Sequence, residues 1–285
     1  MEGVGQTANG PAAATVDEQR EELRGVATTV AIEAAALVKE RRRAGVEVAD
    51  RKSSPVDVVT EVDRESEAFL RSRLAELRPD DGFLGEEGGS RSSTSGITWV
   101  VDPIDGTVNF LYGIPHYCVS VAAVDEDDRS LAAAVVDVSS GEVFSAALGH
   151  GATLDSRPIR ARAVAPMAER LVLTGFQYQA DLRRLQGVAV ARLIDQVRDI
   201  RRMGSAALEL CAIACGRADA YVEEGLHLWD RAAAGLVASE AGARVEVHLG
   251  VGGMDLVVSA PEEGFADFWD LVVECGFVDT SATPR

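Results

Sequence analysis

WVVDPIDGTVNF, residues 99–110, is the stretch of this sequence that decides its fold. Residues 98–101 are β-branched or aromatic, a composition typical of a buried strand. Pro103 has no amide hydrogen, so strand pairing is predicted to stop there. The strand thereby brings two carboxylates, Asp102 and Asp105, to its carboxyl end.

The residues after this strand are suited to binding an anion. Gly106 permits a tight turn, and Thr107 begins a short apolar segment that predicts one or two turns of helix. Unpaired N–H groups at a helix start attract phosphate, and neighbouring carboxylates are hard oxygen ligands suited to Mg²⁺. The stretch therefore predicts a metal-assisted phosphate site. Asp-Pro and Asp-Gly pairs also form ordinary turns, so the stretch alone leaves a plain turn as the alternative.

Size and charge narrow the classes of function. The 285 residues suit one large domain or two closely packed halves, and 47% of them are hydrophobic, as in ordinary soluble proteins. The formal net charge of -18 disfavours nucleic acid and anionic membranes as partners. No stretch is long and apolar enough to span a membrane.

Cysteine usage and the N-terminus predict the compartment. The four cysteines form no CxxC pair and no zinc-binding spacing, which favours a reducing, cytoplasmic setting. Residues 1–14 lack a basic start and a long apolar run, so no signal peptide is predicted. Residues 1–15 are expected to form a loose tail.

The first half of the chain is predicted to be α+β, from residue 16 to 160. Residues 16–43 have the apolar spacing of a helix. Thr60 and Asp63 have the spacing of a capping box before a second helix, so structure alone explains Asp63 as readily as a role in a site. Residues 83–89 are predicted to form a short strand that runs into a glycine-rich turn, where Glu86 and Glu87 are either solvated or metal ligands. Further strands are predicted at residues 119–124, 131–138 and 142–148.

The second half, residues 161–285, is predicted to be α/β, because strands and helices alternate there. The strands are predicted at residues 171–176, 197–203, 218–223, 245–248 and 256–260. The helices are predicted at residues 183–196, 204–216, 229–241 and 262–275.

Several carboxylates fall at strand ends or helix starts along the whole chain. They are Asp63, Glu86, Asp102, Asp105, Glu223 and Asp230. If they converge, they repel one another strongly unless divalent cations neutralise them. Paired metals can activate a water and stabilise a leaving oxygen, which is the chemistry of phosphate ester hydrolysis.

Seven short motifs follow one another between residues 52 and 242. They are KSxPxD at 52–57, TxxD at 60–63, GEE at 85–87, WxxDPIDGTxNF at 99–110, GSAA at 204–207, DAYxE at 219–223 and WD at 229–230. Each motif is moderately specific, but the ordered set is very specific. It resembles the inositol monophosphatases, whose wider superfamily includes the fructose-1,6-bisphosphatases.

The resemblance implies metal-binding roles for the matching residues. One Mg²⁺ would be held by Glu86, Asp102 and the backbone carbonyl of Ile104. A second would be held by Asp102, Asp105 and Asp230, and a weaker third would lie near Glu86. The resemblance thus implies two to three Mg²⁺ ions and inhibition by Li⁺.

Catalytic and substrate roles are implied in the same way. Thr107, supported by Asp63, would orient and help deprotonate the attacking water, with Glu86 completing the catalytic set. The residues implied to contact substrate are Asp105, Gly106, Thr107, Gly204, Ser205, Ala206 and Glu223. Lys52 and Asp57 are expected to support the site.

The implied protein is a Mg²⁺-dependent phosphatase that hydrolyses inositol monophosphate. The resemblance also implies a layered α/β/α/β/α sandwich that is usually a homodimer. A same-fold phosphatase acting on fructose 1,6-bisphosphate, histidinol phosphate or a sulfated nucleotide is the nearest alternative. A non-catalytic binding or regulatory protein on this scaffold is a second alternative, disfavoured by the six intact carboxylates. A haloacid dehalogenase-type phosphatase is set aside because its Asp-x-Asp motif is replaced by Asp-x-x-Asp.

Overall fold

The structure, a computed structural model, describes residues 15–45, 48–51 and 58–278. Lys52, Asp57 and the predicted tail before residue 15 lie outside these ranges. The helices are α1 Val16–Ala44, α2 Glu61–Leu77, α3 Thr107–Tyr112, α4 Ala180–Leu193, α5 Ala206–Ala214, α6 Leu228–Glu240 and α7 Phe265–Cys275. Short 3₁₀ turns cover Met167–Glu169 and Glu262–Gly264.

The strands form one two-stranded ribbon and two larger sheets. The ribbon pairs β1 Val48–Arg51 with β2 Val58–Thr60. The strands of the eight-stranded sheet are β3 Gly82–Gly85, β4 Ser90–Arg91, β5 Thr98–Asp105, β6 Cys118–Val124, β7 Ser130–Asp137, β8 Val143–Ala147, β9 Ala152–Leu154 and β10 Arg157–Pro158, in the order β10-β9-β8-β7-β6-β5-β3-β4. The strands of the five-stranded sheet are β11 Leu171–Thr174, β12 Asp199–Arg201, β13 Ala220–Glu224, β14 Ala243–Leu249 and β15 Asp255–Pro261, in the order β12-β11-β13-β15-β14.

Helices and sheets alternate in five layers. α1 and α2 share one apolar core with one face of the large sheet. α5 and α6 share a second core with the other face of that sheet and with the small sheet. α4 and α7 cover the outer face of the small sheet. The predicted α/β/α/β/α sandwich is therefore confirmed.

Side-chain alternation along β5 explains why the large sheet is covered on both faces. Trp99 and Val101 join the core against α1 and α2, whereas Val100 joins the core against α5 and α6. All three side chains are at most 1% exposed. An uninterrupted apolar run is what a strand buried on both faces requires.

β5 does not stop at Pro103, contrary to the sequence prediction. Asp102 pairs with Ser120 and Asp105 pairs with Cys118, so the ladder resumes after a β-bulge in which two residues lie opposite Val119. The bulge accommodates the missing proline N–H, because Pro103 falls in the unpaired position.

Most other predicted elements are present with shifted ends. The capping box at Thr60 and Asp63 begins α2, as predicted. The last predicted helix begins as a 3₁₀ turn and becomes α-helical at Phe265. β4, β9 and β10 were missed, since strands of two or three residues give too short a pattern to recognise. Within the described ranges no helix has the length and apolar character needed to cross a membrane.

Candidate active site

The bulge in β5 brings two carboxylates to one side of the sheet. In a regular strand, residues three apart point to opposite faces. The extra residue between Asp102 and Asp105 cancels this alternation, so both side chains face the layer formed by α5 and α6. The first turn of α6 supplies Asp230, and one oxygen from each of the three carboxylates lies within 4.8 Å of the others.

Backbone hydrogen bonds from the local turns fix two of these carboxylates. Ile104 N donates to Oδ1 of Asp102 at 3.0 Å. His227 N, at the N-cap of α6, donates to Oδ2 of Asp230 at 2.6 Å. The carboxylates of Asp102 and Asp230 thereby satisfy backbone N–H groups of a turn and of a helix start, and these hydrogen bonds fix their orientation.

Asp105 is held by the start of α5, about a hundred residues later in the sequence. Ser205 Oγ and Ala207 N both donate to Oδ2 of Asp105 at 2.7 Å. Ser205 is the N-cap residue of α5, and its hydroxyl also accepts from Leu208 N at 3.3 Å. The positive end of the helix dipole therefore faces this buried carboxylate.

The electrostatics of this cluster suit a divalent cation. Burial raises the pKa of Asp102 well above its ordinary value, and the charges of Glu86, Asp105 and Asp230 raise it further. Burial also raises the pKa of Asp230 well above its ordinary value, and raises that of Asp105 to about 6 despite its hydrogen bonds. Bringing these groups together in the charged form is costly unless a cation balances them. Carboxylate oxygens are the donors that Mg²⁺ prefers, so the residues present fit that ion.

Glu86 lies beside the cluster in the turn between β3 and β4, and Glu67 of α2 organises that turn. The buried Glu67 carboxylate accepts hydrogen bonds from Glu87 N at 2.6 Å and Gly89 N at 2.9 Å. A Cβ placed on Gly85 would lie 2.2 Å from Oε2 of Glu67, so any larger residue there would displace the Glu67 carboxylate. Glu67 was not predicted as a site residue, because an acidic residue inside a helix gives no local signal that it reaches a distant turn.

Thr107 and Asp63 are in direct contact, as the resemblance implied. Thr107 Oγ1 lies 3.0 Å from Oδ1 of Asp63 and 3.0 Å from the carbonyl oxygen of Ile104. Thr60 N donates to Oδ2 of Asp63 at 2.9 Å, and the Thr60 hydroxyl bonds to the same oxygen. Burial raises the pKa of Asp63 to about 6, although these hydrogen bonds favour its charged form.

Gly106 allows the backbone to pass close to its neighbours at the start of α3. Its φ is +95°, a left-handed conformation that favours glycine. A Cβ at this position would lie 3.0 Å from the His116 carbonyl oxygen and 3.2 Å from that of Gly204. The turn is thus pressed against the loop before α5, and both line the same cavity.

A cavity of about 450 Å³ opens above the carboxylates. The predicted residues that line it are Glu86, Asp102, Ile104, Asp105, Gly106, Thr107, Gly204, Ala206, Glu223 and Asp230. Asp63 and Ser205 lie behind this lining, where they bond to Thr107 and Asp105 respectively. Lys52 and Asp57 cannot be placed, since they lie outside the described residues.

Glu223 projects from β13 on the far side of the cavity. Tyr221 OH donates to its Oε2 at 2.8 Å, and Gly175 makes room for the carboxylate, because a Cβ there would lie 2.0 Å from it. Burial raises the pKa of Glu223 to about 7, while Tyr221 and the charge of Arg202 act to lower it.

Sequence reasoning missed part of the cavity wall. Arg202 and residues 176–179 line the cavity without belonging to any recognised motif. His227 stacks on Trp229 with ring centroids 4.7 Å apart, and both line the cavity. His227, by contrast, was predicted to lie near the site from its position between Glu223 and Asp230 in the sequence.

The comparisons with known proteins agree with this geometry. Residues 19–258 match the model of the inositol monophosphatase family. An inositol-1-monophosphatase of Mycobacterium bovis is 47% identical over 270 residues, covering 88% of this chain and 93% of that protein. The solved structure of Mycobacterium tuberculosis SuhB superposes with a TM-score of 0.78 at 42% identity, covering 91% of this chain and 99% of that one.

A further relative carries a different name. A protein of Xylella fastidiosa named Nus factor SuhB is 43% identical over 195 residues, covering 68% of this chain and 70% of that protein. Relatives at similar identity therefore include one named as an enzyme and one named as a factor.

Proposed function

This chain belongs to the inositol monophosphatase family, and we propose that it hydrolyses an inositol monophosphate to inositol and inorganic phosphate with Mg²⁺ as cofactor. The observation that carries the proposal is the convergence of Asp102, Asp105 and Asp230 beside the Gly106 turn. These three carboxylates, two buried and one half-buried, raise one another's pKa when charged. By themselves they form a poor site for an anionic ester, but they form a good site for a cation that binds the ester.

The proposed metal ligands are the residues named from the sequence. Glu86, Asp102 and the Ile104 carbonyl would hold one Mg²⁺, and Asp102, Asp105 and Asp230 would hold a second. Bound there, the ions would activate a water and stabilise negative charge on the phosphate and on the leaving oxygen.

The chain's own groups would position the reactants. Oγ1 of Thr107 would accept a hydrogen bond from the attacking water and donate its own hydrogen to Asp63, so the pair would help to deprotonate the water. The backbone amides at Gly106 and Thr107 would bind phosphate oxygens. Asp105, the loop residues Gly204–Ala206 and Glu223 would meet the hydroxyl groups of the cyclitol. The substrate would lie in the cavity between the metal cluster and Glu223.

A phosphate-release assay on the purified chain tests the proposal. The substrates are inositol 1-phosphate, fructose 1,6-bisphosphate, histidinol phosphate and a 3′-phosphoadenylated sulfate donor, each with Mg²⁺ and with EDTA. We expect the highest kcat/KM for inositol 1-phosphate and loss of activity in EDTA. A higher kcat/KM for one of the others would replace the inositol assignment by the same-fold alternative, and EDTA-resistant turnover would contradict the Mg²⁺ assignment.

A regulatory role is the second candidate, favoured by the relative named Nus factor SuhB. The same assay separates the two candidates. A protein that binds Mg²⁺ in the cluster but turns over none of the esters would support the regulatory role alone.

Two further properties complete the proposal. We propose a homodimer, supported by Tyr112 and Ile114, which leave large apolar surfaces 76% and 49% exposed just after the phosphate-binding turn. Light scattering after size exclusion should give twice the 30.2 kDa chain mass. A reducing, cytoplasmic setting is proposed from the cysteines, all four of which are free.

A further inference from the structure

A second cavity, of about 290 Å³, lies behind the loop that joins β12 to α5. Residues 201–204, at the end of β12 and in this loop, line the two cavities alternately. Arg202 and Gly204 line the active-site cavity, whereas Arg201 and Met203 line the second. The loop is thus a thin wall between them.

The wall of the second cavity is mainly apolar, with an opening to solvent. The apolar lining residues are Phe144, Leu171, Leu173, Leu208, Ala212 and Ala218. Arg201, Met203 and Arg217 are exposed at the surface and mark the opening. A small molecule could therefore enter without passing the active site.

Glu209 lines this cavity and has one carboxylate oxygen without a hydrogen bond from the described residues. The residue is 1% exposed, and its Oε1 accepts hydrogen bonds from Met203 N at 2.8 Å and Gly204 N at 2.9 Å. Its second oxygen, Oε2, is buried and accepts no hydrogen bond from the described residues. His116, which also lines the cavity, likewise leaves its buried Nε2 without a partner in that part of the chain. A buried acceptor without a donor costs free energy, so the cavity favours a ligand that supplies one.

The nearby cations are already engaged by other carboxylates. Arg217 Nη1 donates to Oε2 of Glu142 at 2.7 Å, and Arg201 pairs with Asp199 at 2.5 Å. Among the described residues no ion pair involves Glu209, and burial raises its pKa well above the ordinary value. A positively charged donor would reduce the free-energy cost of the unpaired Glu209 oxygen more than a neutral donor would.

We propose that the second cavity binds a small primary amine with an apolar body, its ammonium group donating to Oε2 of Glu209. The aliphatic and aromatic wall would pack the body, as in other small-molecule cavities with one polar anchor. The site is separate from the carboxylate cluster, so the inference goes beyond the proposed phosphatase activity.

Occupancy would be transmitted to the active site through the shared loop. Oε1 of Glu209, the oxygen that the amine would not contact, accepts hydrogen bonds from the backbone amides of Met203 and Gly204. Asn109 Nδ2 donates to the carbonyls of Met203 and His116 at 2.8 Å each, which ties the same loop to α3. The charge of Glu209 also acts against that of Glu223 across the loop. An ammonium group held beside Glu209 should therefore favour an anionic ester in the active site and lower its KM, by about fivefold.

Calorimetric titration of the full chain in Mg²⁺ tests the binding step without requiring turnover. The probes are cyclohexylamine and its neutral counterpart cyclohexanol. We expect cyclohexylamine to bind one site per chain, at least about tenfold more tightly than cyclohexanol. Comparable affinities for the two probes, or no binding of cyclohexylamine, would overturn the proposal.

Variants locate the site. Glu209→Gln retains the oxygen that holds the loop but replaces Oε2 by an amide nitrogen, so cyclohexylamine affinity should fall at least about tenfold. Ala212→Leu fills the cavity and should abolish binding even if Glu209→Gln folds poorly. Glu169→Gln removes an exposed carboxylate elsewhere and should leave affinity unchanged. Wild-type affinity in both cavity variants would show that the amine binds the acidic surface and would overturn the proposal.

The coupling has its own readout. In wild-type protein, saturating cyclohexylamine should lower the KM of inositol 1-phosphate, and in Ala212→Leu it should not. An unchanged KM in wild type would overturn the coupling. If the chain turned over no ester, calorimetry would still decide whether the cavity binds an amine.

Discussion

At the scale of single residues, the Thr107 hydroxyl occupies an unusual position between two acceptors. Asp63 Oδ1 and the Ile104 carbonyl oxygen both lie 3.0 Å from Oγ1. A hydroxyl has one hydrogen, so its lone pairs remain available to accept from a water in the cavity. Asp63 cannot turn away, because Thr60 holds its other oxygen.

Removing this hydroxyl should affect the chemical step more than substrate binding. We expect Thr107→Ala to lower kcat by about 10²-fold or more and to leave KM within a few fold, as for a group that acts mainly in the transition state. Thr107→Ser keeps the oxygen and is the matched control. Steady-state kinetics on inositol 1-phosphate measure both constants. A large rise in KM at unchanged kcat would mean that Thr107 binds substrate instead.

The same carboxylates lead to a prediction about Li⁺. This ion is close to Mg²⁺ in size but carries half the charge, so it could occupy the position of Asp102, Asp105 and Asp230 while stabilising the leaving oxygen poorly. We expect inhibition that is uncompetitive or mixed with inositol 1-phosphate and that weakens at high Mg²⁺. KCl at matched ionic strength is the control. Equal effects of LiCl and KCl would remove this support for the inositol type and leave the Mg²⁺ phosphatase proposal standing.

The sequence points to the proposed metal ligands because each lies in a short motif. Asp102 and Asp105 are separated by two residues, and Asp230 directly follows Trp229. The groups that hold them are less predictable. Glu67 and Glu209 act on turns that only the folded chain brings near, so no local pattern identifies them.

At the scale of elements, the bulge in β5 is the feature that makes the site possible. The sequence indicated the strand and the proline but predicted that pairing ended there. In the folded chain the freed backbone groups find other partners. Ser66 Oγ donates to the Pro103 carbonyl at 3.3 Å, and Ile104 N is bound by Asp102. The strand continues because one local side chain, Asp102, and one distant side chain, Ser66, satisfy the backbone groups of the bulge. The contact with Ser66 is a tertiary effect that local sequence does not reveal.

The turn between β3 and β4 offers a test at this scale. Gly85→Ala should place a Cβ against the Glu67 carboxylate, lower stability by about 1–3 kcal/mol and reduce kcat by displacing Glu86. Urea unfolding and the phosphatase assay measure the two effects. Gly187→Ala is the control, since its Cβ would meet nothing within 4 Å in the middle of α4, and it should be neutral or slightly stabilising. Wild-type stability and activity in Gly85→Ala would contradict the role given to Glu67.

At the scale of the whole molecule, the five layers bring together a cluster of carboxylates that repel one another in their charged forms. The site lies where β5 meets the starts of α5 and α6, so elements of both predicted halves contribute to it. Sequence periodicity predicted most of these elements. Their stacking followed from the family resemblance, because periodicity does not state which apolar faces pair.

This arrangement predicts a pH-dependent effect of Mg²⁺ on stability. Burial raises the pKa of Asp105 from 3.8 to about 6 and that of Glu223 from 4.5 to about 7. Between about pH 4 and pH 7 the folded metal-free chain therefore binds more protons than the unfolded chain, and its free energy of unfolding falls as the pH rises. The stability that these protonated carboxyl groups provide is fully present below about pH 4 and is lost by about pH 7. Mg²⁺ favours the charged carboxylates and should restore it.

Thermal unfolding with and without Mg²⁺ measures this effect. We expect saturating Mg²⁺ to raise Tm by about 5 °C or more at pH 8, and much less at pH 5, where the carboxyl groups hold protons. NaCl at equal ionic strength controls for screening of the net charge. Equal Mg²⁺ shifts at the two pH values would contradict the proposed link between these carboxylates and the metal.

The most direct test of the central claim is the turnover number of Asp102→Asn on inositol 1-phosphate at saturating Mg²⁺. Asp102 is the carboxylate that both proposed ions share, and asparagine can still accept the hydrogen bond from Ile104 N. Because burial and the neighbouring carboxylates disfavour charge on Asp102, the metal-free variant should be at least as stable as the wild type, and a loss of activity at unchanged stability would not reflect unfolding. Asp127→Asn, in an exposed turn, controls for the loss of a carboxylate. The predicted result is a fall in kcat of about 10³-fold or more for Asp102→Asn and none for Asp127→Asn. A kcat near the wild-type value in Asp102→Asn would contradict the proposal that this cluster holds the catalytic metal.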